Sequence, residues 1–412
     1  SCEKRMTSSS MQLAAATVAA AIIGFAVGRR WSQRKDEEED EDFSKADLSL
    51  LARRNIRELE PYRCARDDYA EGVLLDANEN ALGPAVSDRT MAEGLNRYPD
   101  PYQKELKELV GKYRGAGHEN IFVGVGSDEA IDLLFRVFCE PRRHNVVIMP
   151  PTYGMYKVSA AANDVAVVEA PLEPETFDVD VATVLAKTTP KTRLVFVTHP
   201  GNPTARCVSR DRLVELLQKL PKSCLLVVDE AYVDFSDVAS MAPLVAQYAR
   251  LVVLHTLSKA FGLAGARVGT AIGHPTVVSF MNNLKAPYNM NSLTSKVAAA
   301  ALADLTSVKK AVETLVEQRE RLKQSLLETP FVLAVYPSDA NFLLVKFRDA
   351  PNVKRLYKTL ADAGVVVRYR GDQLHCDGCL RITVGTADEN NVLLAKLNHF
   401  APTVLSSTNG TA

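Results

Sequence analysis

The stretch HTLSKAFGLAGARVG, residues 255–269, sets the terms on which the rest of the chain is read. Lys259 stands in it among small and apolar residues, with Ser258 directly before it and Arg267 further on. A lysine is ordinarily a solvated surface charge, because an ammonium group buried without a partner is costly. Three readings are open: a charge on an exposed loop, a core oddity, or an amine kept for chemistry.

Upstream, the chain alternates short apolar runs with amphipathic segments. The runs are IFVGV (121–125), NVVIM (145–149), DVAVVEA (164–170), RLVFVT (193–198), LLVVD (225–229) and RLVVLHT (250–256). Between them, DEAIDLLFRVF (128–138) and RDRLVELLQKL (210–220) carry apolar residues at helical spacing. Continuous β-branched runs separated by helices predict an α/β fold on a mostly parallel sheet covered on both faces. Ligands of such sheets bind at the carboxyl ends of the strands, so the residues just after each run carry most weight.

Those residues form a coherent set. After IFVGV come Gly126, Ser127, Asp128 and Glu129, then a helix. A glycine turn and a Ser/Asp cap there aim backbone N–H groups at one point, as a seat for phosphate or simply as a helix cap. After NVVIM, PPTYGMY places Tyr153 on a proline-stiffened loop, where its ring can stack on a flat ligand. After RLVFVT, the turn HPGNPT carries Asn202. Asp229 ends an apolar strand, where a carboxylate needs a cationic partner, and Tyr232 follows it closely. Pyridoxal phosphate calls for such a set. Its aldehyde needs a lysine amine for a Schiff base, and its ring nitrogen needs a carboxylate. Its phosphate wants helix-start amides and an arginine. Lys259 is therefore expected to hold the cofactor and to move the proton.

Bulk properties agree with an enzyme of ordinary composition. The 412 residues are enough for two lobes, and 47% apolar with 24% charged residues is globular. Basic and acidic residues balance at 49 against 50, which excludes a strongly electrostatic nucleic-acid binder. Seven scattered cysteines form no disulfide framework. Cys376-Asp-Gly-Cys379 has the CxxC form but no second pair or histidines to complete a metal site, and is read as reduced thiols before a strand. No metal is expected.

The N-terminus differs in kind. Residues 11–28, MQLAAATVAAAIIGFAVG, are uncharged and are followed by Arg29, Arg30, Arg34 and Lys35, then by an acidic run. As a helix at about 1.5 Å per residue they span roughly 27 Å, enough for a thin bilayer. They are read as a transmembrane anchor that leaves the rest on the cytosolic or matrix side, with import into a mitochondrion or plastid as the alternative. Residues 1–45 are thus set apart as anchor and spacer.

From about residue 55 to 400 the chain resembles the fold-type I pyridoxal-phosphate aminotransferases, and within them the histidinol-phosphate aminotransferases. The resemblance lies in LDANEN (75–80), NRYPDPY (96–102), GSDEAIDLL (126–134), PPTYGMY (150–156), VVDEAYVDF (227–235), TLSKAFGLAGARVG (256–269) and GCLRITVGT (378–386). HPGNPTA departs from the usual SPNNPTG but keeps Asn202. The resemblance implies a seven-stranded large domain at 85–300 and a small α/β domain at 301–404, joined by an arm at 55–84. It implies that Lys259, Asp229 and Tyr232 are catalytic. Ser127, Asp128, Tyr153, Asn202, Ser258 and Arg267 bind the cofactor, and Tyr98 reaches the cofactor phosphate of a second subunit, so a homodimer is expected. Arg381, Arg368, Tyr62 and Asn78 are the expected contacts to the substrates, L-histidinol phosphate and 2-oxoglutarate, although Arg368 and Arg370 can equally be plain surface cations. An aminotransferase for aromatic or other amino acids, a decarboxylase of a phosphorylated amino acid, and a tethered binding protein are the alternatives.

Overall fold

In the computed structural model, which describes residues 47–67, 71–87 and 92–405, seven strands form one sheet. They are β1 (Ile121–Val125), β2 (Asn145–Ile148), β3 (Ala166–Glu169), β4 (Thr192–Thr198), β5 (Leu225–Asp229), β6 (Leu251–Thr256) and β7 (Val268–Gly273). Their order is β1-β7-β6-β5-β4-β2-β3. Neighbours from β3 to β6 pair in parallel, while β7 runs antiparallel to both β6 and β1. All six runs read from the sequence form strands. They do not include β7, whose Gly269 and Gly273 dilute the apolar signal.

The central strands are apolar on both sides because both sides are covered. Val195, Val197, Leu226, Val228 and Val253 point into one buried layer; Leu194, Phe196, Leu225, Val227 and Leu254 point into the other. The helix Gly126–Phe138 fills the second layer with Ile131, Leu134 and Phe138, and the helix Arg210–Lys219 fills the first with Leu213, Leu216 and Leu217. Ser209 starts the latter helix by accepting from the backbone N–H of Arg212. Leu48, Ala52 and Ile56, near the start of the described chain, are buried in the second layer.

A second sheet has the order β10-β11-β9-β8, with β8 (Val332–Val335), β9 (Phe342–Phe347), β10 (Arg368–Tyr369) and β11 (Cys379–Thr383), all antiparallel. The helix Leu305–Leu327 leads into it. Leu343, Val345, Leu380 and Ile382 face a third buried cluster, whereas Phe342, Leu344 and Cys379 pack into the first layer of the large sheet. Side chains alternate along a strand, so Arg381, between Leu380 and Ile382, is turned toward the large sheet. Cys376 and Cys379 are buried free thiols, pushed up to about 12 by burial.

The expected membrane anchor needs correction. Among the described residues no helix is long and apolar enough to cross a membrane. Residues 11–28 lie outside the described residues.

Candidate active site

At the carboxyl ends of β4, β5 and β6 a cavity opens, and the residues singled out after each strand meet there. Ser127, Asp128, Tyr153, Asn202, Asp229, Tyr232, Ser258, Lys259 and Arg267 all line it. Asp229 is 3% exposed. Its hydrogen bonds come from the Tyr156 hydroxyl at 2.7 Å and the backbone N–H of Ala231 at 3.2 Å, neither of them charged. Burial raises its pKa to about 6. Lys259 is half-buried, with Nζ 5.6 Å from the Tyr232 ring centroid. Burial, then the charges of Arg381 and Arg267, lower its pKa. An acid deprived of a cation and an amine inclined to lose its proton thus share one cavity.

The seat after β1 is made by what is missing as much as by what is present. The helix begins at Gly126, and no side chain caps it, contrary to the Ser/Asp cap expected. Its first-turn N–H groups therefore remain available, apart from that of Gly126, which donates to the carbonyl of Arg267 at 2.9 Å. Gly126 has φ +75°, and a Cβ there would meet Arg267 Nη2 at 2.6 Å. A Cβ on Gly269 would lie 2.0 Å from the Ser127 nitrogen. Both glycines let β7 and the helix start approach closely. The Asp128 carboxylate accepts from the Tyr153 hydroxyl at 3.1 Å and from Arg267 Nη2 at 3.4 Å, so it braces the aromatic ring and the arginine. The Ser258 hydroxyl pairs with that of Thr256 at 2.9 Å.

Arg381 Nη1 donates to Asn202 Oδ1 at 2.6 Å, joining the second sheet to the rim of the first. Its guanidinium lies 5.3 Å from the Phe342 ring centroid, and Phe342 meets the Tyr232 ring edge-on. Arg368 stands opposite Arg381 in the β10–β11 pair and is exposed. Arg370 is half-buried, and its Nε has no hydrogen-bond partner. Burial, then Arg381 and Arg368, lower its pKa to about 10. Three guanidinium groups gathered this way form a site that favours an anion.

The remaining expected residues lie elsewhere on this chain. Tyr98 stacks on Tyr288 with centroids 4.5 Å apart, and a separate depression contains it together with Asn78. Tyr62 is 74% exposed. Two contributors escaped the sequence reading. Tyr156, the hydrogen-bond donor to Asp229, sits three residues beyond Tyr153 in the same PPTYGMY motif, at a spacing that puts both on one side of a helical turn. Arg370 was readable only as a possible surface cation.

The buried, uncompensated carboxylate of Asp229 fits a protonated ring nitrogen, and the uncapped helix start beside Arg267 fits a phosphate. The residues present thus suit pyridoxal phosphate. The model for "Aminotransferase class I and II" matches residues 70–397. The histidinol-phosphate aminotransferase of Cytophaga hutchinsonii is 42% identical over 86% of this chain and 99% of its own. That of Saccharomyces cerevisiae is 44% identical over 84% of this chain and 96% of its own. The crystal structure of histidinol-phosphate aminotransferase from Sinorhizobium meliloti in complex with pyridoxal-5'-phosphate superposes with a TM-score of 0.69. It is 27% identical and covers 80% of this chain and 90% of that one. The single-pass anchor and the placement drawn from it find no support: among the described residues no helix is long and apolar enough to cross a membrane, and the likeness to these enzymes covers 86% and 84% of this chain. With likeness extending from the first strand of the sheet to the last helix, this chain belongs to the class I and II aminotransferases and, within them, to the histidinol-phosphate aminotransferases.

Proposed function

We propose that the chain transfers the amino group of L-histidinol phosphate to 2-oxoglutarate. The products are 3-(imidazol-4-yl)-2-oxopropyl phosphate and L-glutamate, a step of histidine biosynthesis. The observation that carries the reading is the buried Asp229, held only by uncharged donors, in one cavity with the desolvated Lys259. The likeness to histidinol-phosphate aminotransferases supplies the substrate.

When bound, pyridoxal phosphate supplies an aldehyde to carry the amino group and a ring that draws charge from the neighbouring carbon. Ser127, Asp128, Ser258 and Arg267 hold its phosphate, the first two partly through backbone N–H groups. Asp229 keeps its ring nitrogen protonated, Tyr153 is its aromatic neighbour, and Asn202 and Tyr232 reach the ring hydroxyl. Lys259 is the residue that would hold the aldehyde, and its Nζ, with a pKa lowered by burial, would take the proton from the substrate Cα. Arg381 pairs with the α-carboxylate of 2-oxoglutarate. Arg368 and Arg370 beside it meet the donor phosphate, with Tyr62 and Asn78 completing the substrate contacts. The two substrates react in turn, in ping-pong order.

The placement of Tyr98, Asn78 and Tyr62 away from the Lys259 cavity supports a homodimer in which each arm serves the partner's site. In this arrangement residues 85–300 hold the cofactor, and the arm 55–84 acts with the small domain 301–404.

The test adds L-histidinol phosphate alone to the chain loaded with pyridoxal phosphate. Visible absorbance should fall and return when 2-oxoglutarate is added. Bleaching by phenylalanine or tyrosine, and not by histidinol phosphate, would assign another aminotransferase substrate. Release of carbon dioxide from a phosphorylated amino acid would point to a decarboxylase.

A further inference from the structure

One carboxylate outside the cavity ties together the segments that bear its two reacting groups. Asp234 lies in the turn Val233–Phe235, a few residues past Asp229, and its side chain is 7% exposed. Its Oδ1 accepts from the Tyr113 hydroxyl at 2.7 Å and from Arg114 Nη2 at 2.7 Å. Its Oδ2 lies 3.3 Å from Nε2 of His255. His255 is fully buried near the end of β6, shortly before Lys259. Just past Lys259, Phe261 sets its ring edge-on to Tyr113, with centroids 5.3 Å apart, and 6.3 Å from His255. The lysine segment is thus held at both ends by groups that converge on Asp234.

Burial keeps His255 neutral, its pKa lowered to about 4, so Nε2–H donates to Asp234. Its Nδ1 is then a buried acceptor without a partner. A buried ion pair with such a defect is a poor source of stability, since apolar residues of similar volume often do as well or better. What it does supply is a fixed geometry: two charges and two further donors satisfy one another in only one arrangement.

We propose that Asp234 is a positioning residue for Lys259. Acting through His255 and through Tyr113 and Phe261, it holds the lysine segment at a set distance from the strand that bears Asp229, so that Nζ meets the substrate Cα in one orientation. This rests on the reading of Lys259 as the proton-moving amine. A displacement of about 1 Å can cost on the order of 10²-fold in rate.

The experiment uses the full chain loaded with pyridoxal phosphate and the variants Asp234→Asn, His255→Leu and His255→Gln, whose amide keeps a donor toward Asp234. Leu217→Ala, on the buried face of the helix Arg210–Lys219, is the control for lost stability alone. Asp234→Asn and His255→Leu should lower kcat by roughly 10- to 100-fold with KM for either substrate changed less than about 2-fold. Amide hydrogens of residues 257–262 should exchange at least about 10-fold faster. His255→Gln should restore kcat to within about 3-fold of the parent, and Leu217→Ala should lower Tm without lowering kcat. Unchanged kcat and exchange in His255→Leu would overturn the proposal, as would an equal fall in kcat in the Leu217→Ala control. Should Asp234→Asn fail to fold, the two His255 variants decide. If the parent shows no transamination, the functional reading fails, and the exchange of 257–262 still tests the tether.

Discussion

Around Lys259 the polar side chains find their partners within the same chain: Asp128 braces Tyr153 and Arg267, Tyr156 donates to Asp229, and Arg381 reaches Asn202. The arm at 55–84 differs in its apolar side chains: Tyr62, Val73, Leu75 and Leu82 are 74%, 89%, 82% and 85% exposed, and beyond the arm Tyr98 is 51% exposed. Apolar side chains left open in series mark a surface meant for another surface. The sheet site thus gathers its cofactor-side groups within one chain, whereas the arm leaves apolar surface open. Cofactor chemistry and substrate capture should accordingly fail in different ways when each region is altered.

The largest effect belongs to the self-contained side. Lys259→Ala should lower the half-reaction rate by ~10⁴-fold in single-turnover measurements. Asp229→Asn comes next, with kcat down by ~10³-fold, and it carries a second signature. The pKa of Asp229 rises from 3.8 to about 6 on folding, so its contribution is fully present below pH 4 and is lost as pH climbs through about 6. Cofactor-free Asp229→Asn should therefore match the parent in stability at pH 4 and exceed it by up to about 3 kcal/mol at pH 8, read by denaturant unfolding. Equal stability at both would mean the carboxylate is not under strain.

The exposed side is probed by mixing, through Tyr98 beyond the arm. Tyr98→Ala should cost ~30-fold in kcat/KM. Co-expressed with Lys259→Ala, it should recover about a quarter of the parent activity, because hybrid dimers contain one site with both residues intact. No recovery would place Tyr98 in its own chain's chemistry and erase the contrast between the regions. The smallest effect is expected among the arginines of the second sheet: Arg370→Gln should raise KM for histidinol phosphate by ~10-fold and that for 2-oxoglutarate less. Equal changes would make Arg370 a general source of positive charge.

How much of this was legible follows from which interactions are local. Runs such as LLVVD announce strands because burial on both faces removes the need for polar residues. Lys259, Asp229, Tyr153 and Asn202 were legible because each follows such a run, and the topology of a parallel sheet brings those positions together. β7 was hidden by its glycines, Gly269 fitting it against the helix start and Gly273 against β6. Tyr156 was hidden because its hydroxyl partner lies 73 residues away. The Arg381–Asn202 bond, spanning 179 residues, leaves no trace in spacing at all. Arg370 could not be told from a surface cation until β10 and β11 were seen side by side.

The two glycines of the phosphate seat have a consequence for how this gene can drift. At most positions a harmful replacement can be answered by a second one nearby that restores the lost volume or charge. At Gly269 every alternative residue adds an atom where the Ser127 nitrogen already stands, and no neighbouring side chain can shrink to make room, because what is struck is main chain. Such a position has no compensating partner. A library of all single replacements should therefore return no active variant at Gly269, and no second replacement nearby should rescue one.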